Sequence, residues 1–232
     1  MQKSSGILMS GAMVVAWLAG LKNQTRRTRG LNKINASPDE WRFNGLMNGV
    51  AAFTRDGSSS IGIRAPYGSV GDTLYFKETW KMWEREEDGR DFLHYRADDA
   101  KIDPTWWTED DWRAPAPFWW KKDVFTKWQP SMFMSFGCAR IRNVPILKVR
   151  VERLWNITED DAIAEGINLI DHNCYENYLV GSDWMYHGRN QLGQHMLEDP
   201  IGSYASLWDK INGKTLPFDK NPWVWVYEFQ KY

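Results

Sequence analysis

The sequence predicts an α+β fold, a small mixed β-barrel with helices at its mouth. Strand-length apolar stretches recur along the chain without regular alternation with helical ones, which argues against a doubly wound sheet. The stretch Trp223–Phe229 is apolar on both faces for most of its length, as a central buried strand must be. Three long excursions, at about residues 30–69, 82–131 and 167–202, separate the regular segments and carry no repeat or heptad. At 232 residues and 43% hydrophobic content, the chain reads as a single domain, residues 1–232, carrying these insertions over a real core.

Ser10 is placed to cap a helix over residues 11–19, which ends near Gly20. Met13, Ala16 and Trp17 share one face of it. The apolar run 7–21 has only Lys3 ahead of it and small residues poorly placed for cleavage. It is also shorter than the ~20 residues that span a bilayer, so it reads as an internal helix, with no membrane or export role. Residues 24–29 are expected to be extended, with Thr25 and Arg27 on one side and Gln24 and Arg26 on the other. Asp56-Gly57 suits a hairpin turn between strands at 50–54 and 61–64. Gly71-Asp72 leads into a strand over 73–80, and a short strand follows at 92–97. Residues 98–131 are acidic, then rich in Trp and Pro, and read as an irregular insertion packed by aromatics.

Regular structure is expected again at 139–142 and at 146–154, where Val149 and Val151 alternate with charged neighbours. Thr158 caps a short helix over 159–165, with Asp161 three residues on and Gly166 closing it. Ser203 is expected to cap a helix over 204–212, with Leu207, Trp208 and Ile211 on one face. Asn221-Pro222 opens the last strand.

Composition narrows the function classes. Net charge is −1, so no global field draws the chain to nucleic acid. The charge is uneven, however. Lys22, Arg26, Arg27, Arg29 and Lys33 fall in one stretch free of acidic residues, whereas residues 84–111 hold eleven acidic residues against four basic ones. The 15 tryptophans exceed ordinary usage and suit a groove that stacks planar groups, although for any single one a packing role is the plainer reading. Cys138 and Cys174 form no CxxC pair, which fits a reducing cytoplasm. His94, His172, His187 and His195 have no metal-ligand spacing, and His172-Asn173-Cys174 supplies two ligands at most, so neither metal nor cofactor is expected.

The stretch from Gly20 to Arg27 combines a candidate base, Lys22, a candidate nucleophile, Thr25, and two candidate anion-binding groups, Arg26 and Arg27. A threonine hydroxyl is a weak nucleophile unless a base lies within hydrogen-bond reach, and a lysine serves as that base only when neutral. Burial and neighbouring cations lower a lysine pKa in the required direction. Glu78 and Trp80 would face one side of the predicted 73–80 strand and form a second rank of candidates, with an ion pair and a core indole as the structural alternative.

Four segments together resemble the ASCH domain, a PUA-like, RNA-associated β-barrel family. Residues 18–27 (LAGLKNQTRR) resemble its G-x-K-x-x-T-x-R signature, and Gly71-Asp72-Thr73-Leu74 its G-D-x-L strand entry. Residues 157–166 (ITEDDAIAEG) resemble the helix carrying its acidic residue, and Trp223–Phe229 its closing x-E-F strand. The extended forms K-E-T-W and N-P-W-V-W-V are similar to the larger members in bacteriophages and prophages, which implies a bacterial host cytoplasm. The resemblance covers about half of the chain and leaves the three excursions outside it. Small bacterial members hydrolyse the amide of acetylcytidine. The resemblance therefore implies Thr25 as nucleophile, Lys22 as proton acceptor and Glu165 as proton donor.

Three functions are consistent with these observations. One is an amidohydrolase acting on acylated cytidine, free or in RNA. Another is a non-catalytic reader of RNA or DNA that uses the same pocket. The third is a phage interaction protein that docks a protein partner through its acidic, tryptophan-rich insertion. A ribonuclease role is known within the family, but the sequence shows no nuclease metal cluster.

Overall fold

The structure is a computed structural model and describes residues 2–56, 59–84, 91–103, 127–172, 175–180 and 200–232. The strands in chain order begin with β1 (Ser4–Leu8), β2 (Gln24–Arg27), β3 (Trp41–Met47), β4 (Val50–Arg55), β5 (Ser59–Arg64) and β6 (Thr73–Lys77). They continue with β7 (Trp80–Glu84), β8 (Asp91–Tyr95), β9 (Lys101–Ile102), β10 (Val144–Arg153), β11 (Ile167–His172), β12 (Tyr175–Val180) and β13 (Trp223–Phe229). The α-helices are α1 (Gly11–Leu18), α2 (Asn32–Asn35), α3 (Glu159–Ala164) and α4 (Pro200–Asn212).

The fold is α+β and centres on a five-stranded mixed sheet of order β1-β6-β10-β13-β2. β1 runs parallel to β6, and the other neighbours are antiparallel. β13 lies between β10 and β2, and all of its residues but Glu228 are buried, as its two-faced apolar sequence requires. β1 and β2 form the ends of this sheet, and among the described residues no strand pairing joins them. Instead, the Arg27 guanidinium at one end donates to the Leu8 carbonyl at the other, at 2.7 Å.

The main core gathers Ile7, Val14, Phe53, Leu74, Phe76, Trp225 and Phe229 from five elements. Trp17 of α1 packs edge-on against Phe76 at 5.2 Å and donates from its indole to Gln230 O at 3.0 Å, which fixes the helix across the sheet. Ser10 caps α1 by accepting from Met13 N. Thr158 caps α3 in the same way, accepting from Asp161 N at 3.1 Å. Gly166 then turns the chain at φ +98°, a conformation open to glycine.

Several expectations need correction. The excursion at 30–69 is a β3-β4-β5 meander, with Trp41, Ala51 and Phe53 set into the main core. The β4–β5 hairpin forms as expected, and residues 57 and 58 at its tip lie outside the described residues. The strand predicted over 73–80 stops at Lys77; Trp80 begins β7, in a separate β7-β8-β9 sheet. Residues 139–142 form no strand, since only Ile141 O bonds β6, at Phe76 N. Ser203 does not cap α4, which begins at Pro200 and buries the Ser203 hydroxyl without a partner. The excursion at 167–202 opens with the β11–β12 hairpin. Residues 104–126 and 181–199, including most of the acidic, Trp-rich insertion, lie outside the described residues, as do Asn173 and Cys174. Among the described residues no helix is long and apolar enough to cross a membrane.

Candidate ligand-binding site

The local sequence around Lys22 explains its position. α1 ends at Leu18 with Ala19 as its cap, Gly20 takes φ +71°, and the amides of Leu21 and Lys22 return to Ala16 O. This hook drops Lys22 beneath the sheet edge, where it is fully buried. The end of α3 lies directly opposite, and Asn23 N donates to Ala164 O at 3.0 Å. Residues distant in sequence thereby meet: Lys22 Nζ donates to Glu165 Oε2 at 3.0 Å, to Glu165 O at 2.7 Å and to Gln24 O at 2.5 Å. Each of the three ammonium hydrogens has an acceptor. Burial pushes the Lys22 pKa below the ordinary lysine value, against the pull of Glu165, and Arg27 and Arg26 add to the lowering.

Arg26 shares the Glu165 carboxylate from the other side, with Nη1 3.2 Å from Oε1. Its Nη2 contacts Glu152 at 2.7 Å and Asp161 at 2.8 Å. Burial opposes the Arg26 charge, but Glu165 and the other carboxylates outweigh it and hold the pKa above the ordinary guanidinium value. Arg150 extends the network to Glu152, Asp161, Gln24 and Glu228. Gln24 and Arg26 both reach Asp161, so the alternation expected along β2 holds on this side. Asp161 is held below the ordinary aspartate range: burial works against this, but Gln24, Arg26 and Arg150 more than offset it.

Above this network a cavity of about 230 Å³ opens off the β2 edge. Thr25, Arg26, Arg27 and Glu165 line one side, and Tyr204 and Trp208 of α4 form an aromatic wall. The Arg26 guanidinium lies 5.8 Å from the Tyr204 ring centre. The Thr25 side chain borders the cavity and makes no hydrogen bond among the described residues. Arg27 Nη2 reaches Leu8 O, while its buried Nε is unpartnered. Arg29 stands over the Tyr67 ring at 5.7 Å and pairs with no carboxylate among the described residues.

The structure therefore sets Thr25, Arg26, Arg27 and Glu165 around one cavity, in unequal roles, and holds Lys22 behind Glu165, outside the cavity lining. Arg26 is occupied by three carboxylates, so the candidate anion-binding role passes to Arg27 and Arg29. Glu78 and Trp80 do not join the site. Glu78 receives both arms of Arg140, at 2.8 and 2.9 Å. Trp80 packs in a second core with Met82, Leu93, Tyr95 and Met134. Sequence reasoning missed Glu152 and Arg150, which alternate along β10 like any solvated strand face, and Tyr204, which precedes a recognised helix stripe. Trp208 was legible as part of that stripe, but the stripe reads equally well as core. No group of His, Cys, Asp and Glu among the described residues is arranged to hold a metal.

No family model, curated protein or solved structure matches the chain.

Proposed function

We propose that this chain is an ASCH-like protein whose cavity binds one modified base or nucleoside, free or in RNA, and hydrolyses the amide of an acylated cytidine. On this reading the five-stranded sheet is the wall of a PUA-like barrel. The observation that carries the proposal is the meeting of Lys22 and Glu165 at 3.0 Å beneath a cavity bordered by the free Thr25 side chain. The volume and the Tyr204–Trp208 wall suit one planar base. Thr25 Oγ1 would attack the amide carbon and yield its proton to neutral Lys22. The C–N bond would break as Glu165 passes to the leaving amine the proton that Lys22 took from Thr25, and water would then release the acyl group from Thr25, returning a proton to its hydroxyl. The lowered Lys22 pKa supports its part as acceptor.

The test is to incubate the purified protein with N4-acetylcytidine and follow cytidine release. Thr25→Ala should reduce turnover by at least about a hundredfold while leaving the melting temperature in place. A second reading, a non-catalytic reader, is favoured by the Lys22 hydrogens, which are directed to Gln24 O and Glu165 rather than to Thr25. Binding of the nucleoside without release of cytidine would select the reader. Absence of binding would overturn both readings.

A further inference from the structure

A second cavity, of about 450 Å³, adjoins the first. Thr28 lines both. The end of α4 also flanks both: Asn212 borders the first, and Thr215 and Leu216, whose amides return to Asn212 O, border the second. Thr28 and the end of α4 are therefore common borders of the two spaces.

The chemistry differs between the two spaces. The first cavity has a carboxylate, Glu165, in its floor, whereas no acidic residue lines the second. Its polar groups include Thr28, Asn32 and Lys220. These side chains make no hydrogen bond or ion pair among the described residues. Asn35, by contrast, is fixed structurally, exchanging hydrogen bonds with the Trp223 backbone at 2.7 and 2.9 Å. Arg29 stands on the first-cavity side of Thr28 and Lys220 on the far side, neither with a carboxylate partner among the described residues. Two cations with no carboxylate partner among the described residues thus lie on either side of the Thr28 hydroxyl, the residue the two cavities share. That arrangement serves a phosphodiester, which presents two anionic or polar oxygens between adjoining sugars.

We propose that the two cavities form one continuous site for single-stranded nucleic acid. The first holds the recognised base, the backbone phosphate crosses at Thr28 between Arg29 and Lys220, and the second cavity receives the adjoining nucleotide. The inference rests on the first cavity being a base pocket and deepens that reading. The preferred ligand is a nucleotide within a chain, not a free nucleoside.

Binding is measured on the Thr25→Ala protein, so that hydrolysis does not intervene. The probes are N4-acetylcytidine, its 5′-monophosphate, and a short oligoribonucleotide containing the same base. The oligonucleotide should bind at least about tenfold more tightly than the nucleoside. That preference should fall as salt rises. It should collapse toward unity in an Arg29→Ala, Lys220→Ala double variant; both residues are exposed, so the substitutions leave the core intact. Equal binding of all three probes would overturn the phosphate crossing but leave the base pocket standing. Equal binding of the monophosphate and the oligonucleotide would overturn the second nucleotide site. Binding of none of them would remove the base pocket itself, and this inference with it.

Discussion

Two buried glutamates in this molecule both meet arginine, and the two cavities described above border Glu165 but not Glu78. Glu165 joins Lys22 and Arg26 beneath the pocket, whereas Glu78 joins Arg140, which also holds Asp98 at 2.9 Å. Glu78 is 1% exposed and Glu165 2%, so burial alone does not separate them. The surroundings do. Arg140 grips Glu78 with two nearly parallel bonds and packs on the Tyr95 ring at 4.5 Å, so that cluster closes on itself and staples the second core. Glu165 divides its two oxygens between different cations and faces open space beside an unbonded threonine. A buried ion pair is weak evidence of a site; one that borders a cavity with a free polar group beside it is stronger.

Removing each carboxylate is the sharpest way to break this comparison. Glu165→Ala strands both Lys22 and Arg26 groups, and Glu78→Ala strands Arg140 beside its remaining partner Asp98. Each should cost about 3–5 kcal/mol in urea unfolding, with Glu165→Ala at the upper end. Only Glu165→Ala should also abolish nucleoside binding by the protein that remains folded. Loss of binding in Glu78→Ala of equal stability would erase the distinction.

The pH response should separate the clusters with a smaller effect. Asp161, beside Glu165, has its pKa held below the ordinary aspartate value of 3.8. Its contribution to stability is complete above that value and is lost as pH falls through the lower native one. Burial pushes the Glu78 pKa above the ordinary 4.5, although Arg140 opposes it. The native state therefore takes up a proton there before the unfolded chain does, and stability rises as pH falls toward 4.5. The urea midpoint followed with pH should show Asp161→Asn flattening the limb below 3.8 and Glu78→Gln removing the rise above 4.5. The reverse assignment would contradict the two environments.

The smallest effect tests how α3 presents Glu165. Thr158→Ala removes the helix cap and should lower stability by about 1 kcal/mol. It should weaken nucleoside binding by less than Glu165→Ala does, and equal loss would mean that α3 forms only with its cap.

The elements legible in the sequence are those whose stability is local. Ser10 and Thr158 announce their helices because a hydroxyl three residues ahead of an amide is a local relation. Trp223–Phe229 announces itself because both of its faces are apolar. β1 begins Ser-Ser-Gly and β3 contains Arg42, Asn44 and Gly45, so neither carries a pattern without its partner strand. The error at Glu78 and Trp80 came from extending alternation past Lys77, where the chain leaves one sheet for another. Within the site, the proximity of Lys22 and Glu165 had no local signal, and the family resemblance alone suggested it. Arg26 was read as free to bind an anion because its three carboxylates lie 126 to 139 residues away along the chain.

The central place of β13 sets an order of events during synthesis. β2 has β13 as its only strand partner among the described residues, and β13 follows every other element described. While a ribosome is still translating the preceding 222 positions, Gln24–Arg27 has no ladder to join. The β2 side of the pocket gains its ladder only when Trp223–Phe229 pairs with it. A nascent chain stalled short of that strand would hold β1, β6 and β10 side by side and leave β2 without its strand partner.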